Sequence, residues 1–175
     1  RGVGGSEGLR RRVLNHAPRQ SAGFLPLTSS PPPDTVPHQN EQERVSMLGL
    51  RQVHHIAIIG ANYAASKYFY CDILGFTLLS EVYREERDSW KADLALNGQY
   101  TIELFSFPSP PARVSRPEAC GLRHLAFSVD DIDRAIAHLQ AAGVACEPVR
   151  VDPYTQSRFT FFSDPDGLPL ELYES

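Results

Sequence analysis

Two histidines and two glutamates have the types and the spacing that a metal site requires. His55 begins the run His-Ile-Ala-Ile and His124 begins His-Leu-Ala-Phe, whereas Glu103 and Glu171 lie in Ile-Glu-Leu-Phe and Leu-Glu-Leu-Tyr. The glutamate follows the histidine by 48 residues in the first pair and by 47 in the second. Imidazoles and carboxylates form a mixed donor set that suits a divalent first-row ion and leaves positions for water or substrate. The repeat therefore predicts one divalent metal ion per site, with nickel, zinc, cobalt and manganese all compatible.

The residues around these four predict that they share one face of a sheet. Each lies in a β-rich run between apolar neighbours, and successive side chains of a strand point to opposite faces. The apolar neighbours would then pack under helices, and the histidines and glutamates would converge on the other face. The neighbours that share the apolar face are Ile56, Ile58, Ile102, Leu104, Leu125, Phe127, Leu170 and Leu172.

The elements that position these residues are predicted twice, in the same order. The first half has predicted strands at 53–59, 76–83, 91–96 and 100–105 and a helix at 63–74. The second half has predicted strands at 122–129, near 144–150, at 158–162 and at 168–173 and a helix at 131–142. The boundary signals are Asn62 and Asp130 or Asp131 as N-caps, Gly75 and Gly143 as helix stops, and Asn97-Gly98 and 164–167 as turns. Each half is therefore a β-α-β-β-β module, at about 50–110 and 118–175.

Charge and composition divide the chain near residue 47. Residues 1–46 hold six arginines and four acidic residues, a net charge of +2, which leaves −6 for residues 47–175 in a chain of net charge −4. The first segment contains Pro31-Pro32-Pro33 and no apolar periodicity, so we expect a disordered extension before a folded domain at 47–175. Met47 favours a translation start there, with an organellar presequence as the alternative.

The same composition excludes several classes of partner. The acidic balance predicts no nucleic-acid partner, and no apolar run approaches the length that spans a bilayer, so no membrane partner is expected. Three cysteines without framework spacing (Cys71, Cys120 and Cys146) indicate reduced thiols and a cytoplasmic protein.

Residues 49–174 resemble the vicinal oxygen chelate superfamily, and its glyoxalase I-like branch in particular. The resemblance rests on the paired modules, the two His-Xaa-Ala strands, the run Phe-Tyr-Cys-Asp-Ile-Leu-Gly-Phe at 69–76 and Asp-Pro-Asp-Gly at 164–167. It implies an α+β fold in which the two tandem modules form a cupped, eight-stranded mixed sheet with helices on the outer face. It also implies that His55, Glu103, His124 and Glu171 hold the metal ion in the cup.

The activity that the resemblance implies is that of a carbon–sulfur lyase or isomerase acting on the thiohemiacetal of an α-ketoaldehyde. The metal ion would stabilise the enediolate formed on proton loss, and Glu171, or alternatively Glu103, would move the proton between the carbons. Other possibilities on this fold are an acyl-CoA epimerase, a thiol transferase, a ring-cleaving dioxygenase and a non-catalytic small-molecule-binding module. The additional carboxylate argues against the dioxygenase, which needs open metal positions. The complete quartet argues against the binding module.

The partners expected are a small-molecule substrate, such as a thiol adduct, and a second copy of the chain. The two modules of one chain could close a site together, or two chains could exchange modules in a homodimer. Glyoxalase I enzymes commonly carry an arginine where this chain has Ile59, so specificity for glutathione is not implied. The other cations that could hold an anionic substrate are Arg84, Arg87, Lys91, Arg150 and Arg158.

Three further features are interpreted as structural. The parity of His54 is opposite to that of His55, so we expect it to lie outside the quartet, and we expect His138 to be solvated on its helix. The proline-rich loop at 108–117, with Arg113 and Arg116, is interpreted as a linker between the modules, with a lid as the alternative.

Overall fold

The computed structural model describes residues 48–175, so the predicted extension at 1–46 and Met47 lie outside the described residues. The strands are β1 (Ile56–Ile59), β2 (Thr77–Arg84), β3 (Ser89–Leu96), β4 (Gln99–Phe105), β5 (Leu125–Val129), β6 (Arg150–Val151), β7 (Arg158–Ser163) and β8 (Pro169–Glu174). The helices are α1 (Tyr63–Tyr68) and α2 (Ile132–Ala141), with a π-helical turn at Phe69–Ile73 and a 3₁₀ turn at Glu85–Arg87. Within this part of the chain, no helix has the length and apolar character needed to cross a bilayer.

The eight strands form two four-stranded mixed sheets, one in each module. Their strand orders are β1-β4-β3-β2 and β5-β8-β7-β6. In each sheet the first strand pairs in parallel with the fourth, and the other pairs are antiparallel. The predicted pair of β-α-β-β-β modules is confirmed. The eight strands are divided between two sheets because, in residues 48–175, no strand of one module pairs with a strand of the other.

Two elements differ from the sequence prediction. The strand predicted near 144–150 is wrong, because only Arg150 and Val151 pair with β7. Pro148 has no N–H to donate to a ladder, and the backbone before it is attached to β7 through Glu147 N and Phe161 O at 2.8 Å. The helix predicted at 63–74 is regular only over α1 and then widens into the π-helical turn.

The predicted helix caps are confirmed at both helices. Asn62 Oδ1 accepts from Ala65 N at 3.1 Å and Asp131 Oδ1 accepts from Arg134 N at 2.9 Å. These bonds satisfy N–H groups that the first turn of a helix leaves free. Between β3 and β4, Asn97 and Gly98 both have positive φ angles, 50° and 80°, as a two-residue hairpin turn requires.

One hydrophobic core serves both modules. Ile58 and Leu104 of the first module and Leu170 and Leu172 of the second belong to the same cluster of buried residues, together with both helical segments. Aromatic rings also meet across the modules, since Phe76 lies 5.9 Å from Phe127 between ring centroids. The apolar faces of the two sheets are therefore buried in this shared core, and the opposite faces point away from it.

The turn at 164–167 fastens the second module to the first. Tyr70 Oη donates to Asp164 Oδ2 at 2.9 Å in a buried hydrogen bond, and Asp166 Oδ2 accepts from Ala61 N at 3.0 Å. A third link joins His138 Nε2 and the carbonyl oxygen of Ile73 at 2.8 Å. His138 was expected to be simply solvated; its ring is exposed but makes this contact between modules.

Candidate metal centre

The two His–Glu pairs have the same geometry in both modules. His55 lies two residues before Ala57, which pairs with Glu103 across β1 and β4, and His55 Nε2 is 3.3 Å from Glu103 Oε2. In the second module, Ala126 pairs with Glu171, and His124 Nε2 is 3.1 Å from Glu171 Oε2. Both histidines lie just before the first strand of their module, so the parallel pairing of the first and fourth strands brings each histidine to its glutamate.

The pairs lie on the faces that the parity argument predicts. The residues on either side of Glu103, Ile102 and Leu104, are fully buried in the core, so the glutamate side chain points to the opposite face. The glutamate side chains nevertheless retain only 17% and 12% exposure in the first and second modules. Each pair is thus partly shielded from water but accessible from the face away from the core.

The spacing within each pair suits two ligands of one metal ion. Ligand atoms bound at about 2.1 Å and about 90° apart lie about 3 Å from each other, close to the observed nitrogen–oxygen distances of 3.3 and 3.1 Å. Two imidazole nitrogens and two carboxylates are also donors that first-row divalent ions accept. Each His–Glu pair therefore fits as two of the ligands of the predicted ion.

One chain does not bring the four residues together. Within residues 48–175, no group of three or more histidine, cysteine, aspartate or glutamate side chains is arranged to hold a metal ion. The reason is the shared core: the two sheets bury their apolar faces in it, so the two polar faces are directed outward. The chain presents two half-sites, His55 with Glu103 and His124 with Glu171.

Neighbouring rings hold His55 in place. Its Nδ1 lies 2.8 Å from Nδ1 of His54, so one of these nitrogens carries a proton and donates it to the other. The phenol ring of Tyr100 stacks on the His55 imidazole with centroids 5.3 Å apart. If His55 offers the lone pair of Nε2 to a metal ion, its Nδ1 is protonated and His54 accepts, an arrangement typical of metal-bound histidine.

A lysine and an aspartate adjoin Glu103. Lys91 Nζ is 2.9 Å from Glu103 Oε1 and 2.6 Å from Asp93 Oδ1. Hydrogen bonds to Asp93 and then to Glu103 raise the pKa of Lys91 to about 12, so the ammonium stays charged. Sequence reasoning missed Asp93, although the alternation of Lys91 and Asp93 with the buried residues Ala92 and Leu94 would have placed it on the face of Glu103.

The second half-site has aromatic neighbours instead of a lysine. The ring of Phe161 meets the His124 imidazole edge-on at 5.2 Å. The guanidinium of Arg150 lies over both Phe159 and Phe161, at 4.9 and 5.2 Å from the ring centroids. His124 Nδ1 is buried and has no hydrogen-bond partner among the described residues. The two half-sites therefore differ in chemistry although their ligands repeat.

Most of the other predicted cations are already engaged. Arg158 forms ion pairs with Glu174 at 2.8 Å and Asp133 at 3.0 Å, so it is not free to bind a substrate. Arg84 donates to Ser89 Oγ at 2.6 Å and lies 4.7 Å from the ring centroid of Phe105. Arg150 is paired with Glu147 at 3.0 Å, but its side chain keeps 50% exposure.

Similarity to known proteins defines the family of this chain. Residues 52–172 match the Glyoxalase/Bleomycin resistance protein/Dioxygenase superfamily. The uncharacterized protein YaeR of Escherichia coli (strain K12) is 81% identical over 128 residues, which cover 73% of this chain and 99% of YaeR. The glyoxalase family protein from Enterococcus faecalis, known as a crystal structure, has 51% identity and a TM-score of 0.67 over 71% of this chain and 98% of that chain. The chain is therefore a member of this superfamily.

A more distant relative has a named activity. The 2-epi-5-epi-valiolone epimerase of Actinomyces sp is 27% identical over 145 residues, which cover 71% of this chain and 79% of the epimerase. The superfamily includes enzymes of several reaction types, and its members commonly bind a divalent metal ion and small molecules.

Proposed function

We propose that this chain is a metal-dependent enzyme that moves a proton between two adjacent carbons of a small substrate, as a lactoylglutathione lyase does. The observation that carries the proposal is the repeated His–Glu pair, with nitrogen–oxygen distances of 3.3 and 3.1 Å on partly shielded sheet faces. The substrate is the thiohemiacetal of an α-ketoaldehyde. His55, Glu103, His124 and Glu171 would hold a nickel, zinc, cobalt or manganese ion, which would supply Lewis-acid chemistry at the substrate oxygens.

Glu171 is the residue that moves the proton, and Glu103 is the alternative. Both carboxylate oxygens of Glu103 have partners, since Oε1 contacts Lys91 and Oε2 contacts His55. Glu171 contacts His124 through Oε2, and its Oε1 has no partner among the described residues. A proton shuttle needs an oxygen that can accept and release a proton, so the free Oε1 favours Glu171.

The reaction balances without any further reagent. Glu171 takes the proton from the carbon that carries sulfur, and the electron pair of that C–H bond enters the enediolate double bond. The same carboxyl group returns the proton to the neighbouring carbon, and the hydroxyl proton passes from the oxygen of the first carbon to the oxygen of the second. A hydroxyl and a carbonyl group thereby exchange places, and a thioester results. No oxidant, reductant or second substrate is consumed. The Glu171 carboxylate is partly shielded from water, and electrostatic interactions are stronger in such a site than in bulk solvent.

The complete site forms between two copies of the chain. The half-sites point away from the shared core, so His124 and Glu171 of one copy can meet His55 and Glu103 of a second. A symmetric dimer of this kind uses the same contact twice and therefore contains two complete quartets. Superfamily relatives often dimerise, and the exchange of modules is one of the two arrangements that the sequence left open.

The working location we propose is the cytoplasm. Cys71, Cys120 and Cys146 are free thiols, in keeping with a reducing compartment.

The experiment is a substrate screen of metal-reloaded protein, with metal content measured by elemental analysis. Methylglyoxal mixed with several thiols tests the lyase, and 2-methyl-branched acyl-CoA esters test an epimerase, the second candidate favoured by the 27% identical epimerase. We expect thioester formation from methylglyoxal adducts, lost on chelation and restored by one ion per site. Racemisation of the acyl-CoA esters alone would replace the lyase with the epimerase. Stoichiometric ligand binding without turnover of either class would identify a binding module, and failure to take up any metal would refute the site.

A further inference from the structure

A cavity of about 780 Å³ lies beside the second half-site. His124 and Phe161 form part of its wall, so the cavity borders a residue of the proposed metal quartet. Four arginines also line it, namely Arg113, Arg116, Arg123 and Arg150. This concentration of positive charge is notable because residues 47–175 have a net charge of −6.

Arg113 has a structural task in the cavity wall. Its guanidinium donates to the carbonyl oxygen of Leu122, and its Nε donates to Ser115 Oγ at 3.1 Å. Ser115 Oγ in turn donates to the carbonyl oxygen of Gly167 at 3.2 Å. These bonds fix the connecting loop next to the strand that follows His124.

The other arginines can bind a ligand. The side chains of Arg116 and Arg123 are exposed and have no hydrogen-bond or ion-pair partner among the described residues. Arg150 lies over the ring of Phe161, the same ring that meets His124 edge-on. The ring of Phe161 therefore lies between a ligand group held by Arg150 and His124, the proposed metal ligand.

The carboxylates of the cavity do not cancel these charges. Glu147 is paired with Arg150 at 3.0 Å. Asp164 is buried and accepts hydrogen bonds from Tyr70 Oη and from the backbone N–H groups of Asp166 and Leu168. Glu118 is the remaining acidic residue in the wall, so the wall has one unpaired carboxylate and two unpaired guanidinium groups.

We propose that this cavity binds an anionic group, a carboxylate or a phosphate, at the end of the substrate remote from the reacting carbons. Arg116, Arg123 and Arg150 are the specificity residues, because a planar guanidinium fork binds the oxygens of either anion in a bidentate manner. The inference rests on the proposed function, since it assigns the anion to the thiol portion of the adduct. Such remote contacts also orient the substrate at the site of chemistry.

Direct binding tests the cavity without any turnover. We expect inorganic phosphate or succinate to bind saturably to the dimer in calorimetric titrations, and the double variant R123Q/R150Q to weaken binding by about tenfold or more. Arg134→Gln is the matched control, because Arg134 is an exposed arginine outside this cavity. Binding of neither anion, or equal weakening in the control, would overturn the proposal.

Kinetics with matched thiols separates the cavity from the proposed reaction. Methylglyoxal adducts of 3-mercaptopropionate and 1-thiopropane compare carboxylate with no charge, and those of phosphorylated and unphosphorylated pantetheine compare phosphate with no charge. We expect kcat/KM to be about tenfold higher for the anionic member of at least one pair, and R123Q/R150Q to abolish this preference. Turnover of all adducts with equal kcat/KM would refute the anion site and leave the reaction standing. Saturable, arginine-dependent anion binding without turnover would refute the reaction and leave the anion site standing.

Discussion

At the scale of single residues, the two glutamates occupy equivalent positions but have different neighbours. Lys91 and His55 contact the two oxygens of Glu103, whereas Glu171 contacts His124 through one oxygen. The repeat in the sequence predicts equivalent ligands and cannot separate their roles. The separation comes from the third strand of each module. Lys91 of β3 pairs with Phe105 and reaches Glu103, whereas the equivalent residue of β7 is Phe159, which pairs with Tyr173 and offers no charge to Glu171.

The first prediction concerns this difference. Glu171→Gln is expected to lower kcat by about 10²–10⁴-fold, because an amide cannot relay the proton, while metal content changes less than about twofold. Elemental analysis and steady-state kinetics on the same preparation measure both quantities.

Glu103→Gln is the matched variant. It is expected to lower metal content at least as much as turnover, because we propose that its carboxylate, held beside Lys91, acts only as a metal ligand. Parallel loss of metal and turnover in Glu171→Gln would instead make Glu171 a ligand without a role in proton transfer.

At the scale of elements, one ion-pair cluster ties the start of α2 to the second sheet. Glu174 Oε1 accepts from the backbone N–H of Ile132 at 3.1 Å, and Arg158 bridges Glu174 and Asp133. Hydrogen bonds from Arg158, and then from the Ile132 N–H, lower the pKa of Glu174 to about 2. The helix is thus held to the strand beside it through a carboxylate that must remain ionised.

This cluster leads to a prediction for acid stability. Because the pKa of Glu174 is lower in the folded chain than in the unfolded one, its contribution is complete above about pH 5 and is lost as pH falls toward 2. Glu174→Gln is therefore expected to lower Tm at pH 7, and the difference from the wild type should shrink steadily below pH 5. Thermal denaturation across this range measures it, with Glu86→Gln as an exposed control. A difference that stays constant with pH would contradict the assignment.

Most elements were predictable because local chemistry and tertiary structure agree. Asn62 and Asp131 cap the helices, and the apolar alternation around Glu103 and Glu171 matches the buried faces. The prediction failed near 144–150, where a strand was expected but Pro148 interrupts the backbone pairing. Asp93 was missed although the predicted hairpin places β3 beside β4. The position of Arg150 over Phe159 and Phe161, in contrast, depends on side-chain packing that no local pattern encodes.

At the scale of the whole molecule, the shared core determines where the site can form. Sequence periodicity correctly predicts which face of each sheet is apolar, but not that both apolar faces meet in one core. That meeting separates His55 and Glu103 from His124 and Glu171 within the chain. We propose that a second copy completes the quartet, and this assembly has its own test.

The test mixes two inactive proteins. One carries H55A/E103A and the other H124A/E171A, and the two are combined under conditions that exchange subunits. If sites form between chains, each mixed dimer has one intact quartet, so about a quarter of all sites should recover metal and turnover at random exchange. If each chain closes its own site, mixing recovers nothing. Light scattering before and after mixing checks that dimers are present.

The hydrogen bond between Tyr70 and Asp164 joins residues that are 94 positions apart, and this has a bearing on synthesis. When residues 48–105 leave the ribosome, the hydroxyl of Tyr70 has no acceptor, because the turn that carries Asp164 has yet to be translated. The first module cannot complete its contacts with the second until the last dozen residues emerge. A nascent chain cut short before that point would leave these contacts unmade and become a substrate for chaperones and proteases.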